Sequence, residues 1–245
     1  MKKNYIDSFN INGWIVIKSF LNDKEVNLAK KKIYDFLSKN ISKYKGRTIN
    51  FAKKEQKISE INSFHALEDC KWVKDYSKKK NLVNIAKKLL PCDKVELRAS
   101  EYFAKPKKIG LKAPAHQDNF YWNVKNSKGL TVWIALSKSS KKNGTVYYYD
   151  GSHKDGLYAH KKSFAKGSSQ TIKNPSKLKK YKKTFPALNA GDILIHHCLI
   201  VHGSNPNKSN QSRIGWTFQY KDKKSQYDKH AIKKYELKLN KQINN

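Results

Sequence analysis

The sequence predicts a mainly β fold with flanking α-helices, built as a sandwich or barrel of the jelly-roll type. From Lys94 onward, short runs of β-forming residues alternate with Gly, Pro, Asn and Ser, and no helical period links them. Clear amphipathic helical spacing is confined to the first ninety or so positions, with only a loose echo at the C-terminal end. A length of 245 residues suits one large β-domain, and no shift in composition divides it, so residues 1–245 read as a single unit.

Within that unit residues 5–90 should supply a strand and helices, about 94–220 the jelly-roll core, and 221–245 a polar tail. Residues 11–17 alternate and end in apolar β-formers, which predicts a first strand. A helix follows, capped by Asn22 or Asp23, with Val26, Ala29, Ile33, Phe36 and Leu37 on one face and lysines on the other. A second runs from Lys78 to Leu90 with Leu82, Ile85, Ala86 and Leu89 inward and Pro91 after it. Core strands are expected at Val95–Ala104, Leu130–Leu136, Thr145–Tyr149, Asp192–Ile195, Leu199–His202 and Ile214–Tyr220. Residues 160–184, polar and carrying Gly167 and Pro175, read as an insert or lid. Ile232, Tyr235 and Leu239 stand at loose helical spacing in the tail, which reads as a solvated helix.

Composition narrows the function. The net charge of +33 raises nucleic acid and membrane surfaces as partners, yet only Arg47, Arg98 and Arg213 are arginines among the 52 basic residues. The lysines are spread along the whole chain rather than gathered with aromatics on one surface, so specific nucleic-acid binding is not expected. Such an excess does favour an anionic small-molecule substrate. No apolar run reaches the roughly eighteen residues a membrane span needs, and Met1-Lys-Lys-Asn-Tyr-Ile-Asp lacks the apolar core of a signal peptide, so a cytoplasmic protein is expected. Cys70, Cys92 and Cys198 form no Cys-x-x-Cys pair, which argues against a thiolate metal site; Cys198 reads as a core residue.

The chemistry gathers at His116, Asp118, His202 and Arg213. In His116-Gln-Asp118 the side chains at i and i+2 of an extended strand point to one side, so an imidazole and a carboxylate can grip one ion. A second imidazole would come from Asp192-Ile-Leu-Ile-His-His-Cys-Leu-Ile-Val-His202, in which His196, His197 and His202 compete. Two histidines and a carboxylate on one face leave positions open, the arrangement of non-haem Fe(II) oxygenases, whereas zinc favours closed or thiol-containing sets. Arg213 adds a planar fork suited to a carboxylate.

These residues sit in a series of segments, His116-Gln-Asp-Asn-Phe-Tyr-Trp122, Asp150-Gly-Ser-His153-Lys-Asp-Gly156, Gly191-Asp-Ile-Leu-Ile-His-His and Val201-His-Gly-Ser-Asn-Pro-Asn207, that resembles the phytanoyl-CoA dioxygenase family in order and spacing. The resemblance spans roughly residues 5–220 and includes Gly13-Trp-Ile-Val-Ile-Lys-Ser-Phe-Leu21; it departs at Asp150, where the family usually has proline. It implies a cupin-like double-stranded β-helix core. It also implies Fe(II) held by His116, Asp118 and His202, which is preferred because Gly203 and Ser204 follow it. The cosubstrates implied are 2-oxoglutarate and O2, with Arg213 and Ser204 receiving the far carboxylate of 2-oxoglutarate. Trp133 resembles a position lining that pocket and is otherwise a core tryptophan. Hydroxylation of a small organic molecule, with release of succinate and CO2, is the implied activity. In halogenating relatives a small residue replaces the ligand carboxylate, so Asp118 points to hydroxylation. Asn119, Tyr121 and Trp122 follow the ligands and are the expected substrate wall, with ordinary packing as the competing role. Arg98 reads as a cosubstrate or substrate contact, or as half of a structural ion pair. The rival reading is a jelly-roll metal-binding protein or isomerase without O2 chemistry, against which Arg213 and Ser204 speak.

Overall fold

The computed structural model describes residues 3–53, 55–165 and 169–243, with side chains through Leu237; Gly167 and the side chain of Leu239 lie outside the described residues. In chain order the elements are α1 (Lys3–Asn12), β1 (Trp14–Ile17), α2 (Asp23–Asn40), β2 (Ile49–Phe51), β3 (Ile61–Phe64), α3 (Lys71–Tyr76), α4 (Lys80–Leu89), β4 (Val95–Lys105), β5 (Ala113–His116) and α5 (Asp118–Trp122). There follow β6 (Gly129–Ala135), β7 (Val146–Tyr149), β8 (His160–Lys162), β9 (Gln170–Ile172), β10 (Lys183–Thr184), β11 (Ile193–His197), β12 (His202–Ser204), β13 (Arg213–Asp222) and α6 (Lys229–Ile243).

A large antiparallel sheet in the order β1-β11-β6-β13-β4-β3-β2 faces a smaller one, β10-β7-β12-β5, and β8 pairs with β9 as a separate ribbon. This is the jelly-roll arrangement that the short strands and turns predict. Side chains alternate along each strand, so the large sheet has two working faces. Leu130, Val132, Ile134, Ile193, Ile195, Trp216, Phe218 and Tyr220 point outward and form one core with Val26, Ala29, Ile33 and Leu37 of α2, Val73 and Tyr76 of α3, and Leu82, Ala86 and Leu89 of α4. Trp133, Ala135 and Leu194 point inward and pack with Tyr148, Leu188 and Ile200 between the sheets. The helices thus hold one face of the sheet rigid and leave the other free for chemistry.

Five departures from the expected elements follow from contacts in the fold. Residues 11 and 12 end a helix rather than start a strand: Phe9 is buried, Gly13 N donates to the Phe9 carbonyl, and Gly13 takes φ +79°, a conformation that ends helices and that favours glycine. The chain is extended only from Trp14. Leu199 to Val201 form a buried turn, with Ile200 N bonded to the His197 carbonyl, so His202 opens a strand instead of closing one. That turn carries the chain from the large sheet to the small one. Asp118 begins α5 rather than continuing β5. Residues 221 and 222 complete β13, and α6 is docked, not merely solvated: the Tyr235 ring lies 5.7 Å from Phe120 and 5.8 Å from Tyr121, and its hydroxyl is 2.8 Å from Ser169 Oγ. The insert is structured by β8, β9 and β10.

Asn22 is the cap of α2, accepting from Glu25 N at 3.0 Å while its own N–H donates to Glu25 Oε2 at 3.0 Å. Since α2 contributes four residues to the main core, Asn22→Ala is expected to cost about 1 kcal/mol and to lower Tm by about 2–4 °C, measured by thermal unfolding; an unchanged Tm would show that the cap is redundant.

Candidate metal centre

His202 and His116 are direct cross-strand partners on β12 and β5, which sets their rings side by side with centroids 4.4 Å apart. Gln117 is extended, and the chain turns into α5 at Asp118, so the carboxylate swings to the same side as His116. Asp118 Oδ1 lies 3.8 Å from His116 Nε2 and 3.5 Å from His202 Nε2, and the ligand atoms of the three residues lie within 4.8 Å of one another. The i, i+2 geometry survives although Asp118 is helical, because only the residue between the ligands has to be extended.

Each ligand is oriented by a hydrogen bond on its far side. His116 Nδ1 is 2.8 Å from the Pro114 carbonyl and His202 Nδ1 is 3.0 Å from the Ile200 carbonyl, which places the proton on Nδ1 and the lone pair on Nε2 in both rings. Asp118 Oδ2 accepts from Thr131 Oγ1 at 2.7 Å and from His196 Nε2 at 3.1 Å, leaving Oδ1 toward the two imidazoles. His196 Nδ1 in turn accepts from the Tyr148 hydroxyl at 2.8 Å. Burial alone would raise the Asp118 pKa, but His202, His196 and His116 outweigh it and hold the carboxyl well below its usual range. Burial, with His116 beside it, pushes His202 down to about 3. At neutral pH the site therefore offers one carboxylate and, at His202, neutral imidazole nitrogen, the form that binds a metal. Two nitrogens and one oxygen from one side, with no thiolate, fit ferrous iron. Cys198 is not among them: it is fully buried, its Sγ 3.0 Å from the Ser127 carbonyl. His196 supports a ligand and His197 accepts from Leu199 N at 3.1 Å, so of the three competing histidines only His202 completes the triad.

A second polar region lies along the same concave face. Arg213 opens β13 opposite Lys105 of β4, and each is only 3 % exposed. The Arg213 guanidinium donates to the Gly144 carbonyl through Nε at 3.3 Å and Nη2 at 3.2 Å, and lies over the Trp133 ring at 5.3 Å. Trp133 lies flat against Gly215, where a Cβ would come within 1.9 Å of the indole. Lys105 Nζ donates to the Leu111 carbonyl. Among the described residues no carboxylate pairs with either cation. Burial and then the Arg213 charge push Lys105 down to about 6, and burial pulls Arg213 down to about 10. Ser204 is buried on β12 opposite Val146, two positions from the carbonyl that Arg213 touches. Tyr148 stands between the regions: burial and Asp118 raise its pKa, and Arg213 opposes them.

The three residues expected to form a substrate wall part company. Tyr121 meets His116 edge to face at 5.8 Å. Asn119 is 3 % exposed, its Nδ2 donating to the Val124 carbonyl and Ser127 Oγ while its Oδ1 accepts from Val124 N. Trp122 packs with Val124, Cys198 and Leu199 beneath the Arg98 guanidinium, which is 5.1 Å away. Both therefore shape the turn that returns the chain to β6. Gln117 ties this loop to the insert through its backbone N–H, which donates to His160 Nε2, while its side-chain Nε2 donates to the Gly156 and Leu199 carbonyls and its Oε1 accepts from Tyr158 N. Asp150 accepts from Trp14 Nε1 and Thr184 Oγ1, so its place in the motif is structural. Thr131, Tyr148, Gln117 and Lys105 were not singled out by the motifs. A lysine alternating with Glu101 and Phe103 inside a strand was the one available signal for Lys105, and it was lost among so many lysines.

Comparison with known proteins adds to this geometry. A family profile described as phytanoyl-CoA dioxygenase (PhyH) matches residues 9–215. The chain is 31% identical over 193 residues to phytanoyl-CoA dioxygenase domain-containing protein 1 of Danio rerio, a stretch covering 76% of this chain and 64% of that protein. Among solved structures, the non-haem alpha ketoglutarate dependent carbocyclase SnoK superposes with a TM-score of 0.74 at 19% identity, covering 93% of this chain and 86% of that one. EctD from S. alaskensis with bound Fe gives 0.75 at 20%, covering 91% and 77%. At these identities the structural likeness is one of fold.

His202→Ala should abolish Fe(II) binding measured anaerobically by calorimetry, whereas His197→Ala should leave it close to wild type. Thr131→Val, which removes one bond to Asp118 Oδ2, should weaken Fe(II) by about 10–100-fold. Retention of affinity by His202→Ala together with its loss in His197→Ala would move the second imidazole ligand to His197.

Proposed function

The chain belongs to the phytanoyl-CoA dioxygenase family, and from that premise we propose that it is an Fe(II)- and 2-oxoglutarate-dependent dioxygenase that hydroxylates a small organic molecule with release of succinate and CO2. The observation that carries this reading is the pairing of an open two-histidine, one-carboxylate triad with buried Arg213 and Lys105, which have no acidic partner among the described residues. A buried cation without a counter-ion is costly, and two beside each other suit a ligand that brings its own negative charge.

His116, Asp118 and His202 would hold the iron, which with 2-oxoglutarate and O2 supplies the oxidising chemistry. The protein's part is orientation. Arg213 receives the far carboxylate of 2-oxoglutarate through its fork, Lys105 adds charge beside it, and Ser204 and Trp133 line the same pocket. Thr131 and His196 keep Asp118 from rotating, so one oxygen stays toward the metal. Tyr121 forms substrate wall beside His116, and Gln117 anchors, through His160, the insert that helps exclude water. Asp118 favours hydroxylation over halogenation, since its carboxylate fills the coordination position a halide would need. The cationic pocket supports a dicarboxylate cosubstrate, and so this reading, over a metal-binding protein or isomerase without O2 chemistry. A carbocyclase on the same fold makes product analysis the deciding experiment.

Arg213→Lys keeps the charge but loses the fork and is expected to weaken 2-oxoglutarate by about 10–100-fold while leaving Fe(II) affinity unchanged. Calorimetry on the wild type should also show proton uptake when 2-oxoglutarate binds. Lys105, held down to about 6 when the pocket is empty, is mostly neutral at pH 7.5 and regains its proton beside a carboxylate, so affinity falls as pH rises above that value. Equal enthalpies in buffers of different ionisation heat would remove Lys105 from the pocket.

Product mass spectrometry tests the reaction. The wild type should give succinate and hydroxylated product in equal amounts across a metabolite screen, and Asp118→Gly should fall to about a hundredth of that rate or less. Chlorinated product from the wild type, or undiminished hydroxylation by Asp118→Gly, would refute the role given to Asp118.

A further inference from the structure

The concave face of the large sheet carries a second polar cluster that neither the metal triad nor the Arg213 pocket uses. Glu101, Phe103 and Lys105 alternate on this face of β4; Lys105 sits opposite Arg213, and Glu101 sits opposite Thr217 farther along β13. Glu101 Oε1 is 2.8 Å from His65 Nδ1, and its Oε2 accepts from Gln219 Nε2 at 2.6 Å. Gln219 Oε1 accepts from Arg98 Nη1 at 2.5 Å. Arg98 reaches this point because Gln219 pairs with Ala99 and Tyr220 with Leu97, leaving Arg98 as the unopposed residue of a bulge, a device that re-aims a side chain.

The exposed chemistry of this cluster is that of a donor. Both Glu101 oxygens are taken internally, whereas His65 Nε2 is bonded to no described residue and is not among the buried orphaned atoms. The His65 side chain is 28% exposed and its ring stands edge-on to Phe103 at 5.6 Å. Burial works against a charged imidazole, but Glu101 outweighs it and raises the pKa of His65. Glu68, whose Oε2 accepts from Ser100 N, is a second carboxylate acting on His65, so the cluster is balanced internally and what it offers outward is the open His65 Nε2 donor rather than an excess of charge. Gln219 lies opposite Thr131, which holds Asp118. Glu101 lies opposite Thr217, which faces Trp133, so it is two strands and two residues from Thr131, and His65 follows β3, one strand farther out; by strand spacing and rise that is about 16 Å between backbones, which the inward side chains shorten to the span of an elongated small molecule.

We propose that His65, held by Glu101, is the substrate-recognition residue of this enzyme, and that it receives an oxyanion, a carboxylate or a phosphate, on a small substrate whose reacting carbon lies toward His116 and His202. Phe103 and Tyr121 supply apolar wall for the body of such a molecule. This assignment rests on the proposed dioxygenase reading for the position of the reacting carbon, while the anion site itself can be measured without turnover.

The probes are phenylacetate and phenyl phosphate, with neutral phenylacetamide and cationic phenethylamine as counterparts. Each is titrated anaerobically by calorimetry, at up to millimolar concentration, into the full chain with and without Fe(II) and 2-oxoglutarate. An anion should bind in preference to the amide and amine, and the stronger of the two anions identifies the oxyanion. His65→Leu should weaken that anion by about 10–100-fold, His65→Gln, which keeps a donor, should recover part of the loss, and Glu101→Gln should weaken it as well. Affinities for Fe(II) and 2-oxoglutarate should stay at wild-type values in all three variants, which also reports that they fold. Preference for the amide or amine, wild-type anion affinity in His65→Leu, or no anion binding by the wild type would each overturn the proposal. If Fe(II) and 2-oxoglutarate fail to bind while an anion binds in a His65-dependent manner, the anion site stands and the dioxygenase reading falls.

Discussion

Asp118 has to stay ionised inside a cavity between two sheets, and the rest of the site is arranged around that requirement. An unpartnered buried carboxylate costs several kcal/mol. Here one oxygen is satisfied by Thr131 of β6 and His196 of β11, and the other faces the imidazoles of β5 and β12. The carboxylate therefore joins the large sheet to the small one. Tyr148 of β7 extends the connection through His196, so four strands beyond its own segment bear on where Asp118 points. The helices behind the large sheet matter to chemistry for the same reason: the outward core fixes the strands whose inward residues hold the ligand.

The same face separates charges by whether they are neutralised. Lys221 and Lys105 are both buried. Lys221 is bonded to the Ser225 carbonyl and paired with Glu96 at 2.7 Å, so its charge is spent on closing the end of β13. Lys105 donates only to the Leu111 carbonyl, and burial, with the Arg213 cation beside it, lowers its pKa. Identical side chains at similar depth are ion-paired in one place and without a carboxylate partner among the described residues in the other. Most of the remaining lysines are exposed and solvated, and contribute to the long-range field rather than to any one contact.

The insert, α5 and α6 meet over the metal side of the cavity. Gln117 bonds His160 of the insert from within the His-x-Asp segment, His160 stacks on Phe120 at 4.1 Å, and Tyr235 closes against Phe120 and Tyr121. The insert is thus bonded directly to the backbone of the residue between His116 and Asp118.

Local rules were enough to place much of this in the sequence. Helical spacing and a cap at Asn22 or Asp23 located α2, alternation and turn residues located most core strands, and spacing together with family motifs singled out His116, Asp118 and His202, which the fold brings together. Where neighbours in the chain decide the outcome, the sequence by itself determined it. The C-terminal helix kept its helical form but not its expected solvation, because what Tyr235 touches lies more than a hundred positions away on α5. The support of Asp118 by His196, 78 positions distant, the sharing out of Asn119, Trp122 and Tyr121 between turn and wall, and the isolation of Lys105 beside Arg213 were settled only by tertiary structure. Each depends on which face of which strand meets which partner across a sheet or a cavity, and pairing at such separations is fixed by the packing of the whole core rather than by local periodicity.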